Sequence, residues 1–247
     1  MHRKYVLSIA GFDPCGGAGV IADCKTFEAH HHFGLSVVTS VTYQNEQALK
    51  GIKWLCYKEI IRQISSLYDE YKIDYVKIGL VKNLKTLNKI IKYLRYRNNN
   101  VMILWDPIIA SSSGYSFHKK FKKKKVKKLL KKLEIITPNY TEIHYLYKSK
   151  DPLKAAEKLS TYCMVYLKGG HNEKDKGKDY IYKDGSAQEL LPKKVLSEQK
   201  HGSGCVFSAA LLSHYASTKN IYISGMRSKK YIEKYLTSHP SLLGVHL

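Results

Sequence analysis

The sequence predicts an α/β fold in which a mostly parallel central sheet is covered by helices on both faces. Over the first 170 residues, short apolar runs alternate with helical patterns, which is the arrangement that βαβ crossovers produce. Residues 179–187 then place Asp184-Gly185 between alternating residues, which is typical of an antiparallel hairpin at a sheet edge. With 247 residues, 44% of them hydrophobic, the chain is long enough for one large domain over residues 1–247.

Six apolar runs are predicted to form the first strands. They occupy residues 5–10, 35–43, 75–79, 101–105, 135–137 and 164–167. A glycine-rich loop over residues 11–19 follows the first run and a helical pattern begins at Val20, so this segment opens the first strand–loop–helix unit. Further helices are predicted over residues 59–68 and 84–94, and a charged pattern over residues 228–236 predicts a terminal helix.

The chain is strongly basic, because 42 Lys and Arg residues against 20 Asp and Glu residues give a formal net charge of +22. This charge favours a polyanionic partner, such as a nucleic acid, a membrane surface or a phosphorylated metabolite. The densest segment, residues 119–132, carries apolar residues at helical spacing and predicts an amphipathic helix with a solvated lysine face. A nucleic-acid site is the alternative, but interleaved aromatic residues and a known binding motif are missing, so we expect no nucleic-acid partner.

The cysteines and the apolar runs predict the compartment. The five cysteines are an odd number without a CxxC pair, so they indicate neither a disulfide framework nor a zinc site. Membrane spans need longer apolar runs than any in this sequence, and the apolar stretch before Gly11 is too short for a signal peptide. We therefore expect a cytoplasmic protein that does not bind membranes.

A second glycine-rich segment, Gly202-Ser203-Gly204-Cys205, leads directly into an apolar helical run. The first amide groups of a helix have no partner within it, and the helix dipole adds about half a positive charge there, so this turn predicts an anion-binding site. Cys205 lies in the first helical turn and is a candidate base. The alternative is that Ser203 is only an N-cap and that the glycines only permit the turn.

Polar residues follow the ends of the predicted strands, where open α/β sheets bind their ligands. They are Gln44, Asp106, Asn139, Glu142 and Lys168. Each has a local alternative: Asp106 precedes a proline and can start a turn, and Asn139 and Glu142 have the spacing of a capping box. One shared site accounts for all these positions together, and we expect them to converge on it.

The chain resembles, nearly end to end, the hydroxymethylpyrimidine/phosphomethylpyrimidine kinases, which are members of the ribokinase-like superfamily. The segments that carry the resemblance are IAGFDPCGGAG (9–19), ADCKTF (22–27), VTYQN (41–45), KIGL (77–80), DP (106–107), TPN (137–139) with Glu142, KGGH (168–171) and HGSGC (201–205) with SAA (208–210). Each segment alone is weak evidence, but together and in this order they are specific.

The resemblance implies a ribokinase-like three-layer sandwich and a reaction in two steps. ATP would phosphorylate 4-amino-5-hydroxymethyl-2-methylpyrimidine, and a second transfer onto the monophosphate would give the pyrophosphate used in thiamine biosynthesis. It also implies a homodimer, since homodimers are common in the family. A pyridoxal or pyridoxine kinase is the alternative within the same fold, and a basic nucleic-acid-binding protein on a kinase-like fold is an alternative of a different class.

The resemblance further implies which residues bind the substrates. The residues around the pyrimidine would be Gly11, Asp23, Gln44 and Leu80. The residues that face the nucleotide phosphates would be Asn139, Lys168 and Ser203. The ligands of Mg²⁺ would be Asp106 and Glu142, since carboxylate oxygens suit this hard cation.

The catalytic residues implied by the resemblance lie in the second glycine-rich segment. Gly202, Ser203 and Gly204 would offer their amide groups to the phosphoryl group in transfer. Cys205 would accept the proton of the substrate hydroxyl, and we expect its pKa to be lowered by the helix N-terminus and nearby cations. Sugar kinases of the superfamily have an aspartate at this position, so the cysteine favours a pyrimidine or pyridoxal-like alcohol.

The sequence departs from the common pattern of the family in several places. Phe12 and Cys15 stand where serine is common, Leu80 where methionine is usual and Ser203 where threonine is usual. Phe12, beside the substrate loop, predicts a narrower pocket. Residues 110–116 also differ from the commonest pattern and predict a mobile flap over the site.

Overall fold

The computed structural model describes residues 3–111, 114–118, 121–172, 174–196 and 198–246, and within these ranges nine strands form one sheet. The strands in chain order are β1 (Tyr5–Phe12), β2 (Phe33–Gln44), β3 (Leu49–Trp54), β4 (Ile73–Ile78), β5 (Met102–Trp105), β6 (Ile135–Ile136), β7 (Met164–Leu167), β8 (Asp179–Lys183) and β9 (Ser186–Leu190). Their order across the sheet is β3-β2-β1-β4-β5-β6-β7-β8-β9. The six central strands, β2, β1, β4, β5, β6 and β7, pair in parallel with one another. The strands β3, β8 and β9 are antiparallel to their neighbours.

Antiparallel strands therefore close both edges of the sheet. The predicted hairpin is confirmed: β8 and β9 pair from Asp179 with Leu190 to Lys183 with Ser186, and the turn residues Asp184 and Gly185 have φ angles of 50° and 80°. The strand β3 at the other edge was not predicted. Its residues are half-buried or exposed, so this edge strand lacks the continuous apolar run that marks the parallel strands.

Helices cover both faces of the sheet. Three helices cover the first face, namely α1 (Gly19–Ala29), α7 (Ser203–Thr218) and α8 (Ile221–Leu236). The helices of the second face are α2 (Tyr57–Glu70), α3 (Leu84–Arg97), α4 (Lys123–Leu130), α5 (Glu142–Leu146) and α6 (Pro152–Ser160). In the ranges given above, every helix is too short or too polar to cross a membrane.

Alternation along the strands builds a separate core on each face. In β5, Met102 and Leu104 pack toward α1, α7 and α8, while Ile103 and Trp105 pack toward the helices of the second face. This is the two-residue period of a strand that is buried on both sides. The α/β fold with helices on both faces is confirmed.

The lysine-rich segment is helical only in part. Lys119 and Lys120 lie outside the described residues, and α4 begins at Lys123 and buries Val126, Leu129 and Leu130 against the core. The Nζ atoms of Lys127 and Lys131 lie 5.1 and 6.0 Å from the centre of the Tyr162 ring. These contacts fit a lysine-covered helix that packs on its own domain. The predicted flap also falls partly outside the described residues, at Ser112 and Ser113.

The strand order places a crevice at the carboxyl ends of β1 and β4. These two strands are neighbours, but the chain leaves β1 toward β2 on one side and leaves β4 toward β5 on the other. Connections that diverge in this way open a gap beyond the strand ends, and ligands of open α/β sheets bind there.

Candidate active site

A cavity of about 580 Å³ lies at the carboxyl ends of the parallel strands. Its wall includes the loop after β1, the end of β2, the residues that follow β4, β5 and β7, and the first turn of α7. The cavity brings together the predicted site residues except Asp23, namely Gly11, Gln44, Leu80, Asp106, Asn139, Glu142, Lys168, Gly202, Ser203, Gly204 and Cys205. The expected convergence of the strand-end residues is therefore found in the structure.

The two glycine-rich segments pack backbone against backbone at this cavity. Gly202 has a φ angle of 72°, and a Cβ atom added to it would overlap the carbonyl oxygen of Gly17. Gly19 has a φ angle of 60°, and a Cβ atom there would overlap the carbonyl oxygen of Gly11. A side chain at Gly202 would thus separate the first loop from the start of α7, and a side chain at Gly19 would disrupt the first loop itself.

A hydrogen bond between the side chains of Asp13 and His201 joins the same two segments. The His201 Nε2 atom lies 2.8 Å from the Asp13 Oδ2 atom, and both side chains are buried. The backbone N–H groups of Cys15 and Ala18 donate to the same carboxylate at 3.1 and 2.8 Å. Burial opposes ionisation of Asp13, but the hydrogen bonds from His201 and Cys15 outweigh it and lower its pKa to about 2.

The contact between Asp13 and His201 was not predicted from the sequence. Asp13 and His201 lie inside the two glycine-rich segments, but the separation of 188 positions gives no local signal that they meet. The only signal in the sequence was that each glycine-rich segment contains a polar residue. That these two residues meet is evident only from the fold.

Cys205 lies in the first turn of α7, with its thiol buried at the cavity wall. The backbone N–H of Gly19, at the start of α1, donates to its sulfur. The expectation of a lowered pKa is wrong: burial raises the pKa of this thiol to about 11. The charge of Lys77 acts against this rise, whereas the charges of Asp23 and Asp106 add to it.

Lys168 connects the two predicted metal ligands. Its Nζ atom lies 2.8 Å from Asp106 Oδ1 and 3.6 Å from Glu142 Oε2. The hydroxyl groups of Thr137 and Ser208 donate to the two oxygens of Asp106 at 2.9 and 3.0 Å. Burial opposes the charge on Asp106, but the charge of Lys168 holds its pKa below the ordinary value. For Glu142, burial prevails over Lys168 and raises the pKa to about 7.

Asn139 and Glu142 form the capping box that was considered as the local alternative. The backbone N–H of Asn139 donates to Glu142 Oε2 at 2.8 Å, and the backbone N–H of Glu142 donates to Asn139 Oδ1 at 2.8 Å. Both residues also line the cavity. The local and the functional interpretation are thus compatible, because the cap fixes the Glu142 carboxylate beside Lys168.

The carboxylates fit a magnesium ion that is bound together with phosphates. Mg²⁺ in such sites takes one or two carboxylates and completes its shell with water and phosphate oxygens. Asp106 and Glu142 lie 2.8 and 3.6 Å from the same ammonium group, so a cation beside that group would meet both carboxyl groups. Asp106 already accepts three hydrogen bonds, which suits a ligand that acts through water.

Asp23 does not line the cavity, and the structure corrects its predicted position. It lies on α1 one turn beyond Gly19, with no exposed surface. Its carboxylate pairs with Lys77 Nζ at 2.6 Å and accepts a hydrogen bond from the Ser8 hydroxyl at 2.5 Å. The Asp23 carboxylate is thus bound to Lys77 and Ser8 in the interior and has no surface in the cavity wall.

The opposite end of the cavity is less charged. Gln44 ends β2, and Leu80 follows β4 with its carbonyl oxygen accepting a hydrogen bond from the Thr39 hydroxyl at 2.6 Å. A Cβ atom on Gly11 would lie 2.9 Å from the Ser40 Oγ atom and 3.4 Å from the Leu80 side chain, so glycine allows a close approach here. Phe12 also lines the cavity, as expected for a residue that narrows the pocket.

Comparisons with known proteins agree with this geometry. The phosphomethylpyrimidine kinase family matches residues 13–246. A hydroxymethylpyrimidine/phosphomethylpyrimidine kinase of Staphylococcus aureus is 28% identical over 249 residues, covering 97% of this chain and 90% of the relative. The enzyme of the same name from Escherichia coli is 30% identical over 227 residues, covering 85% and 82%.

Solved structures show the same fold. The phosphomethylpyrimidine kinase of Clostridium difficile superposes with a TM-score of 0.79 at 29% identity, covering 94% of this chain and 99% of that one. The pyridoxal kinase of Staphylococcus aureus in complex with ADP has a TM-score of 0.84 at 22% identity, covering 100% and 94%, which is a likeness of fold. On the family match over residues 13–246, the chain belongs to the phosphomethylpyrimidine kinase family.

Proposed function

We propose that this protein phosphorylates 4-amino-5-hydroxymethyl-2-methylpyrimidine with ATP and then phosphorylates the monophosphate to the pyrophosphate used in thiamine biosynthesis. The observation that carries the proposal is the cavity itself. It joins a thiol at a helix N-terminus, Cys205, to a polar amide at the end of a strand, Gln44, and to the Asp106–Lys168 pair. The relatives reported above bear the name of this activity.

The pyrimidine would bind at the less charged end of the cavity. The amide of Gln44 carries both a donor and an acceptor, so it can pair with a ring nitrogen and the adjacent exocyclic amine. Leu80 would pack on the ring, and Gly11, which lines the cavity beside Leu80, would lie next to it. In this proposal Asp23 pairs with Lys77 and is not a ligand contact.

The phosphates would bind at the other end. The backbone N–H groups of Gly204 and Cys205 lie in the first turn of the 16-residue helix α7 and would donate to the phosphates, whereas the N–H of Ser203 donates to the Lys200 carbonyl oxygen. Lys168 adds a fixed positive charge next to them, since the nearest heavy atom to a Cβ on Gly204 is its Nζ atom. Phosphoryl transfer depends mainly on positioning and on stabilising charge, which these groups would supply.

Asp106 and Glu142 would hold Mg²⁺ beside the phosphates. When bound, the cation neutralises phosphate oxygens during the transfer. Lys168 keeps the two carboxylates in place at 2.8 and 3.6 Å from its Nζ atom. Asn139 would also face the phosphates. Its Oδ1 atom accepts a hydrogen bond from the backbone N–H of Glu142, which fixes the side chain in place.

Cys205 would accept the proton that the substrate hydroxyl loses. With a pKa of about 11, only about one thiol in ten thousand is ionised at pH 7, so the reaction should accelerate as the pH rises. The Gly19 amide and the charge of Lys77 favour the thiolate, so they limit the rise in the pKa of Cys205 that burial causes.

A coupled ATP assay tests the function. Purified protein should produce ADP when 4-amino-5-hydroxymethyl-2-methylpyrimidine is added and, in a separate reaction, when its monophosphate is added. Pyridoxal is the matched comparison, because it is the alternative alcohol for this fold. Phosphorylation of pyridoxal without turnover of the pyrimidine would overturn the proposal. Turnover of the first substrate alone would limit the protein to a single step.

We also propose a homodimer in the cytoplasm. The five cysteines are free thiols, as is usual in a reducing compartment. The dimer rests on the resemblance to the family. Light scattering of the purified protein would give twice the mass of the chain if the dimer forms, and a single chain mass if it does not.

A further inference from the structure

The side chains of Asp13, Cys15 and His201 form a compact cluster at the cavity wall. One ligand-type atom from each of them lies within 4.8 Å of the other two. Asp13 and His201 line the cavity, and Cys15 is half-buried beside them. The sequence analysis indicated no zinc site, because His201 is 188 positions away from Asp13.

Hydrogen bonds in this cluster occupy the positions that a metal ion would take. The Cys15 thiol donates to Asp13 Oδ1 at 3.1 Å, and His201 Nε2 lies 2.8 Å from Asp13 Oδ2. The bonds from the backbone N–H groups of Cys15 and Ala18 hold the carboxylate independently of both contacts. A tetrahedral ion with ligands at about 2.0–2.3 Å separates its ligand atoms by about 3.3–3.7 Å, so small side-chain movements would suffice.

The charges of the cluster also suit a divalent ion. The backbone N–H groups of Cys15 and Ala18 donate to Asp13 and favour its carboxylate form. The thiolate of Cys15 would add a second negative charge when its proton is released to solvent. His201 would bind as the neutral imidazole whose proton is not on Nε2. The three side chains would then balance the two positive charges of the ion.

The thiol sets the choice of metal. Sulfur, imidazole nitrogen and a carboxylate oxygen together favour Zn²⁺ over Mg²⁺ or Ca²⁺, which prefer all-oxygen shells.

We propose that Asp13, Cys15 and His201 bind Zn²⁺ with water as the fourth ligand, at the junction of the two glycine-rich segments. The ion would replace the hydrogen bonds that Asp13 now accepts from the two other side chains. It would still link the loop after β1 to the start of α7. The proposal does not depend on the kinase activity, since binding can be measured without ATP or a pyrimidine.

Titration of the tag-free protein with Co²⁺, which substitutes for Zn²⁺ and absorbs light when bound by thiolate, tests the site. We expect one Co²⁺ per chain with a thiolate-to-cobalt band in the near ultraviolet, and loss of the band when Zn²⁺ is added. Cys15→Ser should remove the band, whereas Cys56→Ser, at an exposed cysteine, should leave it unchanged. Zn²⁺ should also raise the melting temperature of the protein and of Cys56→Ser, but not that of Cys15→Ser.

Two results would overturn the proposal. A protein that gives no thiolate-to-cobalt band has no such site. A band that persists unchanged in Cys15→Ser comes from another thiol. The circular dichroism spectrum of Cys15→Ser should match that of the unmodified protein, and Cys15→Ala serves as a second variant if it does not.

Discussion

The Nε2 atom of His201 lies 2.8 Å from Oδ2 of Asp13, and this contact joins two glycine-rich segments from opposite ends of the chain. Around it, Gly202 packs on the backbone of Gly17, and the backbone N–H of Gly19 donates to the Cys205 sulfur. The thiol and the amide groups of α7 thus have their positions set by the loop after β1. Changes in either segment should affect the other.

Gly202→Ala should destabilise the protein more than Gly185→Ala does. Both glycines have positive φ angles, 72° and 80°, so each alanine should cost about 1–2 kcal/mol in backbone strain. Only at Gly202 does the new Cβ meet another backbone, that of Gly17, which should add about 1–3 kcal/mol. Urea unfolding of the two variants measures the difference. Equal losses would mean that the two glycine segments are not packed as described.

Lys77→Met should destabilise the protein strongly. It leaves the fully buried Asp23 carboxylate without its cation, and breaking a buried pair costs about 3–5 kcal/mol. The double variant Lys77→Met with Asp23→Asn removes both charges and should recover part of the loss. Urea unfolding of the single and double variants gives the coupling. If the double variant is less stable than Lys77→Met, Asp23 is not paired with Lys77 in the folded protein.

Binding of Mg²⁺ in the presence of ADP should weaken as the pH falls through 7. The ordinary pKa of a glutamate is 4.5, but burial raises that of Glu142 to about 7, so the carboxyl group is protonated at a pH where most glutamates are charged. A protonated carboxyl group is a poor ligand for Mg²⁺. Calorimetric titration at pH 6 and pH 8 measures the change. Glu142→Gln should bind Mg²⁺ weakly at both values, and an equally steep pH dependence in this variant would assign the effect to another group.

The sequence predicted the parts of the fold with strong periodicity. The run at residues 164–167 coincides with β7, and the Asp184-Gly185 pair marks the hairpin turn, because both depend on local chemistry. The edge strand β3 was missed because Lys50 and Lys53 lie among its half-exposed residues. Local periodicity carries no information about such an edge, whose pairing with β2 is decided by the fold.

For the site, the sequence predicted that the strand-end residues lie together, but it did not predict which contacts they make. Gln44, Asp106 and Lys168 reach the cavity because parallel strands end at the same edge. The lowered pKa expected for Cys205 was wrong, since the helix N-terminus was evident in the sequence but the burial of the thiol was not. Asp23 was misplaced for the same reason, because its partner Lys77 lies on another element.

Turnover of 4-amino-5-hydroxymethyl-2-methylpyrimidine by Cys205→Ala tests most directly whether the thiol at the start of α7 is the base. We expect kcat to fall by about two to four orders of magnitude with KM for the pyrimidine little changed, because the thiol acts on the proton in transfer. In the unmodified protein, kcat should rise with pH toward the thiol pKa of about 11, and this rise should be absent in the variant. A kcat for Cys205→Ala close to that of the unmodified protein, with the same pH dependence, would contradict the account.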